Sequence, residues 1–359
     1  MPKNNFDFLR LCFAFFVLFT HSYNLSGAGD DPLGNLTRGQ VNFSSIGLKG
    51  FFTISGFLIF ESLIRSKGWI DYMIKRVLRI YPALIGVLIV CFFLGMILSP
   101  EPASLYIHDT SALSYVYVNL SLFLPMKFTI PNVFPTNHVR DGLNGSLWTI
   151  PYEFLFYILL SALLVVRRYP KLISILLGGA FCIAFCLKIK YNRFEYLWMT
   201  PLPYEKKALI DFALLFIAGA FLASIGFQQF RYRRTMIAAT IGASILFILL
   251  QRFSYVQFIL FPLMIISLGS LSTRGIAGLN GSMGDFSYGI YLYGFPVQQT
   301  LLRFFTLTPL QLLAAAAPIT FAIAAISWFL IEKRALGWKR YLSPRPSSRL
   351  SNITAVPGR

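Results

Sequence analysis

An arginine and a histidine share one apolar helix near the start of the chain. Arg10 and His21 flank an apolar stretch, and at about 100° per residue an offset of eleven returns to almost the same helix face. The rise between them is about 16 Å, roughly half the hydrocarbon core of a bilayer. An ionisable side chain inside a membrane span indicates a functional site, here a general base or a nucleophile. A snorkelling arginine and a packed histidine explain this helix alone equally well.

A carboxylate is expected at a matching depth in another apolar segment. Glu153 follows Ser146–Leu147–Trp148 and lies about 9 Å inside the predicted outer boundary of its span. His21, counted from the inner end of the first span, lies at about the same depth, so the two side chains are predicted to pair. A carboxylate orients an imidazole for proton transfer. The alternative is that Glu153 only neutralises a buried cation.

Arg76 and Arg79 are spaced i and i+3 and are predicted to lie in an inner loop at the start of the third span. Their guanidinium groups then share one face, where they can bind phosphates bidentately. Arginine beside a span on the inner side is also ordinary topology. Polar side chains within the spans are predicted to line a substrate passage, although close helix packing and an interfacial aromatic belt are alternatives; they are Ser55, Trp148, Tyr152, Tyr288 and Tyr291.

Composition sets the class of protein. The 359 residues have a mean hydropathy of +0.64, with 56% hydrophobic and 13% charged residues, which indicates an all-α polytopic membrane protein. The net charge of +18 comes from cations that flank apolar runs, so no nucleic-acid partner is expected. The four cysteines lie in apolar runs and predict neither a disulfide framework nor a metal site. Ten apolar runs are predicted to span the membrane, at 7–24, 46–64, 82–98, 148–166, 171–187, 208–226, 235–250, 255–271, 286–305 and 311–330.

The distribution of cations predicts the orientation. With a cytoplasmic N-terminus, about two thirds of the 32 Lys and Arg residues fall on the inner side, so both termini are expected there. Five of the outer cations are concentrated between 188 and 207. The long outer loop at 99–147 is expected to cap the outer face or form a substrate groove. The basic segment 335–359 is expected to be a disordered cytoplasmic tail after a membrane domain at 1–334.

Taken together, these residues resemble the acyltransferase family 3 membrane proteins, which O-acylate extracytoplasmic carbohydrates. The resemblance covers residues 6–334. It is carried by Arg10-x10-His21, the segment 51–58, Arg76-x-x-Arg79 followed by Ile80–Tyr81–Pro82, Ser146–Leu147–Trp148 with Glu153 and Tyr157, Ser287–Tyr288 to Pro296, and Ile331–Glu332–Lys333. Each motif is weak alone, but their order on these spans is specific.

The resemblance implies ten spans in a bacterial inner membrane, a cytoplasmic acyl-CoA donor (commonly acetyl-CoA) and a carbohydrate or glycolipid acceptor on the far side. It also implies that His21 is the catalytic histidine, Arg10 its motif partner, and Arg76 and Arg79 the arginines that hold the donor. Many members carry a histidine where this chain has Gly294. Some carry a fused esterase-like domain, which is not found in this sequence, so an acyl relay is expected to end within the membrane domain.

Two other functions are compatible with parts of the sequence. A transporter or flippase for lipid-linked sugars would suit charge inside the membrane, but it gives the inner arginine pair no role, and no inverted repeat is evident. A glycosyltransferase could use Asp30 and Asp31 as a metal or base site, although acids in a Gly-rich turn are common. The acceptor remains open among O-antigen, exopolysaccharide, glucan, a lipo-oligosaccharide and peptidoglycan.

Overall fold

The computed structural model describes residues 4–193, 205–273 and 285–342. The described chain is helical apart from one isolated β-bridge between Thr129 and Gly142. The helices are α1 Phe6–Leu25, α2 Pro32–Leu36, α3 Phe43–Ile64, α4 Trp69–Leu98, α5 Ala103–Tyr106, α6 Thr110–Ser121, α7 Ile150–Ser161, α8 Pro170–Arg193, α9 Lys206–Ser224, α10 Arg233–Leu249, α11 Phe253–Gly269, α12 Ser287–Phe304, α13 Pro309–Ser327, α14 Lys333–Gly337 and α15 Lys339–Leu342. Short 3-10 turns flank α7 at Gly145–Thr149 and Ala162–Val166, and a π-helical turn at Trp328–Glu332 follows α13.

Seven helical segments of the described chain are long and apolar enough to cross a membrane, which confirms the prediction of an all-α polytopic membrane protein. Each of the ten apolar runs falls on a helix, but α10 and α11 have only 17 residues each. The count of ten spans and the cytoplasmic placement of both termini therefore stay predictions. The last described helices, α14 and α15, extend into the segment expected to be disordered, and residues 343–359 lie outside the described chain.

The membrane domain has two opposite faces, at which its long helices begin and end. We call the side on which α1 begins the amino-terminal face; Asn4, Arg65, Lys75, Arg233 and Lys339 all line one cavity there. This is the face that the cation distribution predicts to be cytoplasmic. On the opposite face, the predicted cap is a folded layer that contains α5 and α6. It is fixed to α12 because the Asn144 side chain donates to Leu292 O (2.9 Å) and the Gln299 side chain donates to Gly142 O (2.7 Å).

The third span begins earlier than predicted. Helix α4 starts at Trp69 and runs for 30 residues through Pro82, so Arg76 and Arg79 lie inside a helix and not in a loop. Asp71 stabilises this early start, because it accepts from the Lys67 amide (2.9 Å) and pairs with Lys75 (2.6 Å). A single proline removes one backbone hydrogen bond, which this long helix tolerates without ending. The arginine pair is consequently held on a rigid element.

Helices α3 and α9 cross at two glycines. A Cβ on Gly56 would lie 2.0 Å from Phe216 O, and a Cβ on Gly219 would lie 2.1 Å from Thr53 O. We expect Gly56→Ala to lower stability by at least about 1–3 kcal/mol, since the two backbones must move apart. Thermal unfolding of the detergent-purified protein measures this. Gly242→Ala in α10, where no atom lies within 4 Å of the new Cβ, is the matched control and should not lower the melting temperature.

Candidate active site

An aspartate joins the two arginines that the sequence places 69 positions apart. Asp285 Oδ2 accepts from Arg10 Nη1 and from Arg79 Nη2, both at 2.5 Å, and Asp285 also accepts from the Ser287 hydroxyl. All three charged side chains are mostly buried. Asp285 lies two residues before the start of α12. Burial alone would raise the pKa of its carboxyl, but Arg10 and Arg79 hold that pKa well below its ordinary value. The bridge therefore fixes α1 and α4 to the start of α12.

A central cavity of about 40 Å³ lies beside this bridge, between α1, α3, α4, α7 and α12. Arg10 and Arg79 line it together with Ser55, Tyr288 and Tyr291, so these three polar side chains face a shared space. Glu153 also lines the cavity. Its carboxylate accepts from the Ser55 hydroxyl (2.9 Å) and from the Tyr157 hydroxyl. The cavity thus offers two cations, one carboxylate and several hydroxyl groups.

A second and larger space, which we call the basic vestibule, has a volume of about 830 Å³ and lies at the amino-terminal face. It shares Arg10, Ser55 and Arg79 with the central cavity. Arg76 lies between the rings of Tyr72 and Tyr157 at 5.7 and 5.6 Å. Among the described residues, seven cations and a single carboxylate, Glu61, line the vestibule; the cations are Arg10, Arg65, Lys75, Arg76, Arg79, Arg233 and Lys339. This charge balance suits a polyanionic ligand.

His21 lies beyond the far end of the central cavity. Its ring meets Phe295 edge to face at 5.4 Å, and it is not among the described residues that line either space. Tyr291, which lines the cavity, lies one turn before Phe295 on α12. The Tyr291 hydroxyl shares a hydrogen bond with Thr149 (2.6 Å), and the Phe51 ring packs on Tyr291 at 5.9 Å. A ligand in the cavity would have to pass these side chains to reach His21.

The predicted pair between His21 and Glu153 does not form in this structure, because the Glu153 carboxylate accepts from Ser55 and Tyr157. The Phe295 ring contacts the His21 ring on one side, and on the other it lies so close to Gly145 that a Cβ on this glycine would be 2.6 Å from it. His21 is therefore level with the start of the 3-10 turn before α7. Glu153 lies eight residues further along, which is about 12 Å or more towards the amino-terminal face. The reason is that the folded outer layer buries the residues before 150, so that the polypeptide enters the membrane domain earlier than hydropathy suggests.

Trp148 and Tyr152 also depart from their prediction, because they do not line the central cavity. Their rings pack on Phe212 of α9, at 5.4 and 5.6 Å. Thr149 and Glu153 occupy the cavity-facing side of this segment, and residues one position earlier point about 100° away. The two aromatic rings therefore hold α7 against α9.

Asp285 is the site residue that sequence reasoning missed. Its position could have indicated this role: the chain has only 14 acidic residues, and Asp285 lies directly before a predicted span, on the face where Arg10 and Arg79 lie. Gly294 faces α1: a Cβ there would lie 2.8 Å from Leu18 Cδ1. This glycine allows α12 to approach α1 closely.

Asp31 has a structural role that accounts for its burial. One carboxylate oxygen accepts from the Gly34 amide (2.9 Å), and the other accepts from the Phe43 amide (2.9 Å) and the Thr20 hydroxyl (2.5 Å). Asp31 therefore caps α2 and α3 and fixes the end of α1, so its oxygens are occupied by the protein itself.

We expect Asp31→Ala to destabilise the protein by about 2–4 kcal/mol, because two helix caps and a buried hydroxyl lose their acceptor. The drop in melting temperature of the purified protein measures the loss. Asp30→Ala removes a neighbouring acid that is only partly buried and should have a smaller effect. Equal effects of the two substitutions would contradict this account of the caps.

The sequence is similar to known proteins over nearly its whole length. Residues 3–332 match the family model described as "Acyltransferase domain". The chain is 31% identical to an O-acetyl transferase of Shigella phage Sf6 over 353 residues, covering 94% of this chain and 97% of the relative. It is 28% identical to Nodulation protein 10 of Rhizobium leguminosarum bv. viciae over 368 aligned residues, covering 96% of each. No solved structure matches the chain.

Proposed function

Because this chain belongs to acyltransferase family 3, an integral-membrane acyltransferase family, we propose that it transfers an acyl group from cytoplasmic acyl-CoA to a hydroxyl of an extracytoplasmic carbohydrate. Acetyl-CoA is the donor that the name of the phage relative favours. A bacterial inner membrane is the compartment in which such a donor and such an acceptor meet. The observation that carries the proposal is the basic vestibule, which leads to the bridged arginines and the central cavity.

In this proposal the vestibule holds the nucleotide end of the donor. Coenzyme A carries several phosphate groups, and guanidinium groups bind phosphates through paired hydrogen bonds. Arg76 is clamped between two tyrosine rings and Arg79 by Asp285, so both are ordered before the ligand arrives. Ordering the cations in advance lowers the entropic cost of binding.

The acyl end of the donor then lies in the central cavity. The rise of about 16 Å from Arg10 to His21 is of the order of the length of the CoA arm. Ser55, Tyr288 and Tyr291 would line its path, and Glu153 would orient Ser55 and Tyr157 beside it. The Thr149–Tyr291 hydrogen bond must open for the thioester to approach His21.

His21 can act in this reaction in either of two ways, as a general base or as a nucleophile. As a general base, the imidazole takes the proton of the sugar hydroxyl while the sugar oxygen attacks the thioester carbonyl; the carbon–sulfur bond breaks, and the CoA thiolate takes up the proton. As a nucleophile, His21 first accepts the acyl group and then passes it to the sugar. Both orders produce a sugar ester and free CoA thiol.

The release of that thiol tests the proposal. Purified protein in proteoliposomes should release free thiol from acetyl-CoA over many turnovers only when an acceptor glycan is present, and mass spectrometry should find the glycan acetylated. A flippase would move the glycan without any thiol release. Deletion of the gene should also remove an acetyl group from a surface glycan, and unchanged glycan acetylation in the deletion strain would contradict the proposal.

A further inference from the structure

A second group of charges lies within the membrane domain, apart from the candidate active site. Lys188 Nζ on α8 pairs with Asp211 Oδ1 on α9 at 2.5 Å, and the Lys188 ammonium lies 5.9 Å from the centre of the Phe258 ring. Lys49 on α3 lies at the level of Asp211, because the Phe52 ring, three residues along α3, stacks at 4.0 Å on the Phe212 ring, which directly follows Asp211 on α9. Lys188, Asp211 and Lys49 therefore form one cluster contributed by three helices.

This cluster carries one uncompensated positive charge. A single carboxylate cannot neutralise two ammonium groups, and Lys49 makes no hydrogen bond or ion pair with any residue of the described chain. Farther out on α9, the Lys206 ammonium is buried and has no hydrogen-bond partner among the described residues. Charge without a partner inside a membrane domain is costly and usually marks a binding site or pathway.

The position of the cluster points away from the cytoplasmic donor. Lys49 is the seventh residue of α3 and Asp211 the sixth of α9, so both lie about 8–9 Å below the ends of helices that begin at the opposite face. The same side carries the concentration of cations between 188 and 207, which runs against the general bias of cations towards the inner side. An anionic ligand on this side explains both observations.

We propose that Lys49, Lys188 and Asp211 form a binding site for the phosphate group of a membrane lipid at the opposite face, with Asp211 positioning Lys188. Lysine side chains extend towards the interface, where lipid phosphates lie, whereas the carboxylates of a soluble polysaccharide stay in water. Resting on the proposed function, the inference identifies the acceptor as a glycan carried on a lipid phosphate. Helix α3, which carries Lys49, packs directly on α1, which carries His21.

The test is a binding measurement that needs no catalysis. Farnesyl diphosphate serves as the probe, titrated into the detergent-purified full-length protein and followed by microscale thermophoresis. Lys49→Met removes the uncompensated charge and leaves the Lys188–Asp211 pair intact, so the protein should fold and its dissociation constant for the probe should rise at least tenfold. Lys49→Arg should restore binding.

Lys190→Met is the matched control, because Lys190 is an exposed lysine two residues beyond Lys188 on the same helix. Its effect on binding should be less than twofold. Equal weakening by Lys190→Met and Lys49→Met, or an absence of binding to the unsubstituted protein, would overturn the site. If Lys49→Met does not fold, the double variant Lys188→Met with Asp211→Leu removes the ion pair as a unit and should also abolish binding.

Competition distinguishes the sources of the phosphate. If dioleoylphosphatidylglycerol displaces the probe with the same potency as an isoprenyl diphosphate, the assignment of the site to the acceptor's lipid carrier is overturned. If inorganic pyrophosphate displaces the probe with that potency, the requirement for a lipid is overturned. Thiol release from acetyl-CoA is measured separately on the same preparation. Probe binding that depends on Lys49, without any thiol release, would reject the proposed function and leave the lipid-phosphate site standing.

Discussion

His21→Ala is expected to abolish O-acylation, with a loss of at least about 10²–10⁴-fold in acyl transfer, because that is the usual contribution of a positioned general base. If His21 carries the acyl group, the loss is complete, since the intermediate cannot form. The imidazole contacts Phe295 and makes no hydrogen bond within the described chain, so its removal leaves no buried partner unsatisfied. Membrane insertion and the melting temperature should therefore remain close to those of the unsubstituted protein.

The measurement is mass spectrometry of the acceptor glycan together with thiol release by the purified variant. His108→Ala is the matched control, because it replaces an exposed histidine in the outer layer and should leave transfer intact. Glycan acetylation at the normal level in His21→Ala would remove His21 from the mechanism. It would instead direct attention to Glu153 and the hydroxyl groups of the central cavity.

Arg79→Gln is expected to lower kcat/KM for acetyl-CoA by about 10²–10³-fold, chiefly through a higher KM. Loss of a buried, charge-assisted contact to a phosphate costs about 2–5 kcal/mol, and each 1.4 kcal/mol is tenfold in affinity. The substitution also leaves Asp285 with only Arg10 as a cationic partner, which loosens the bridge between α4 and the start of α12. Initial rates of thiol release over a range of acetyl-CoA concentrations separate KM from kcat.

Arg168→Gln provides the control for Arg79→Gln, since Arg168 is an exposed arginine predicted to lie on the same face and does not line the vestibule. Its KM should be unchanged. A fall in kcat for Arg79→Gln with an unaltered KM would contradict donor binding and indicate a role in helix arrangement.

Sequence reasoning located the helices well because each span is a local property of the chain. The run at 7–24 became α1 at Phe6–Leu25, and the run at 235–250 became α10 at Arg233–Leu249. In a bilayer each backbone polar group must be satisfied within its own segment, so hydropathy alone marks the helix. The third span departs from this rule at its start, because residues 69–81 form a helix although charged side chains interrupt their apolar character.

The site divides in the same way. The sequence determined that Arg10 and His21 share a helix, that Arg76 and Arg79 are one turn apart, and that Ser55, Tyr288 and Tyr291 are polar groups within apolar segments. Only the tertiary structure decided that Asp285 joins Arg10 to Arg79, that Glu153 binds Ser55 and Tyr157 and leaves His21 unpaired, and that Trp148 and Tyr152 turn away from the cavity. Spacing along one helix fixes which of its residues share a face. The depth and rotation of that helix relative to its neighbours depend on close contacts between residues that are distant in the chain, such as Gly56 and Phe216.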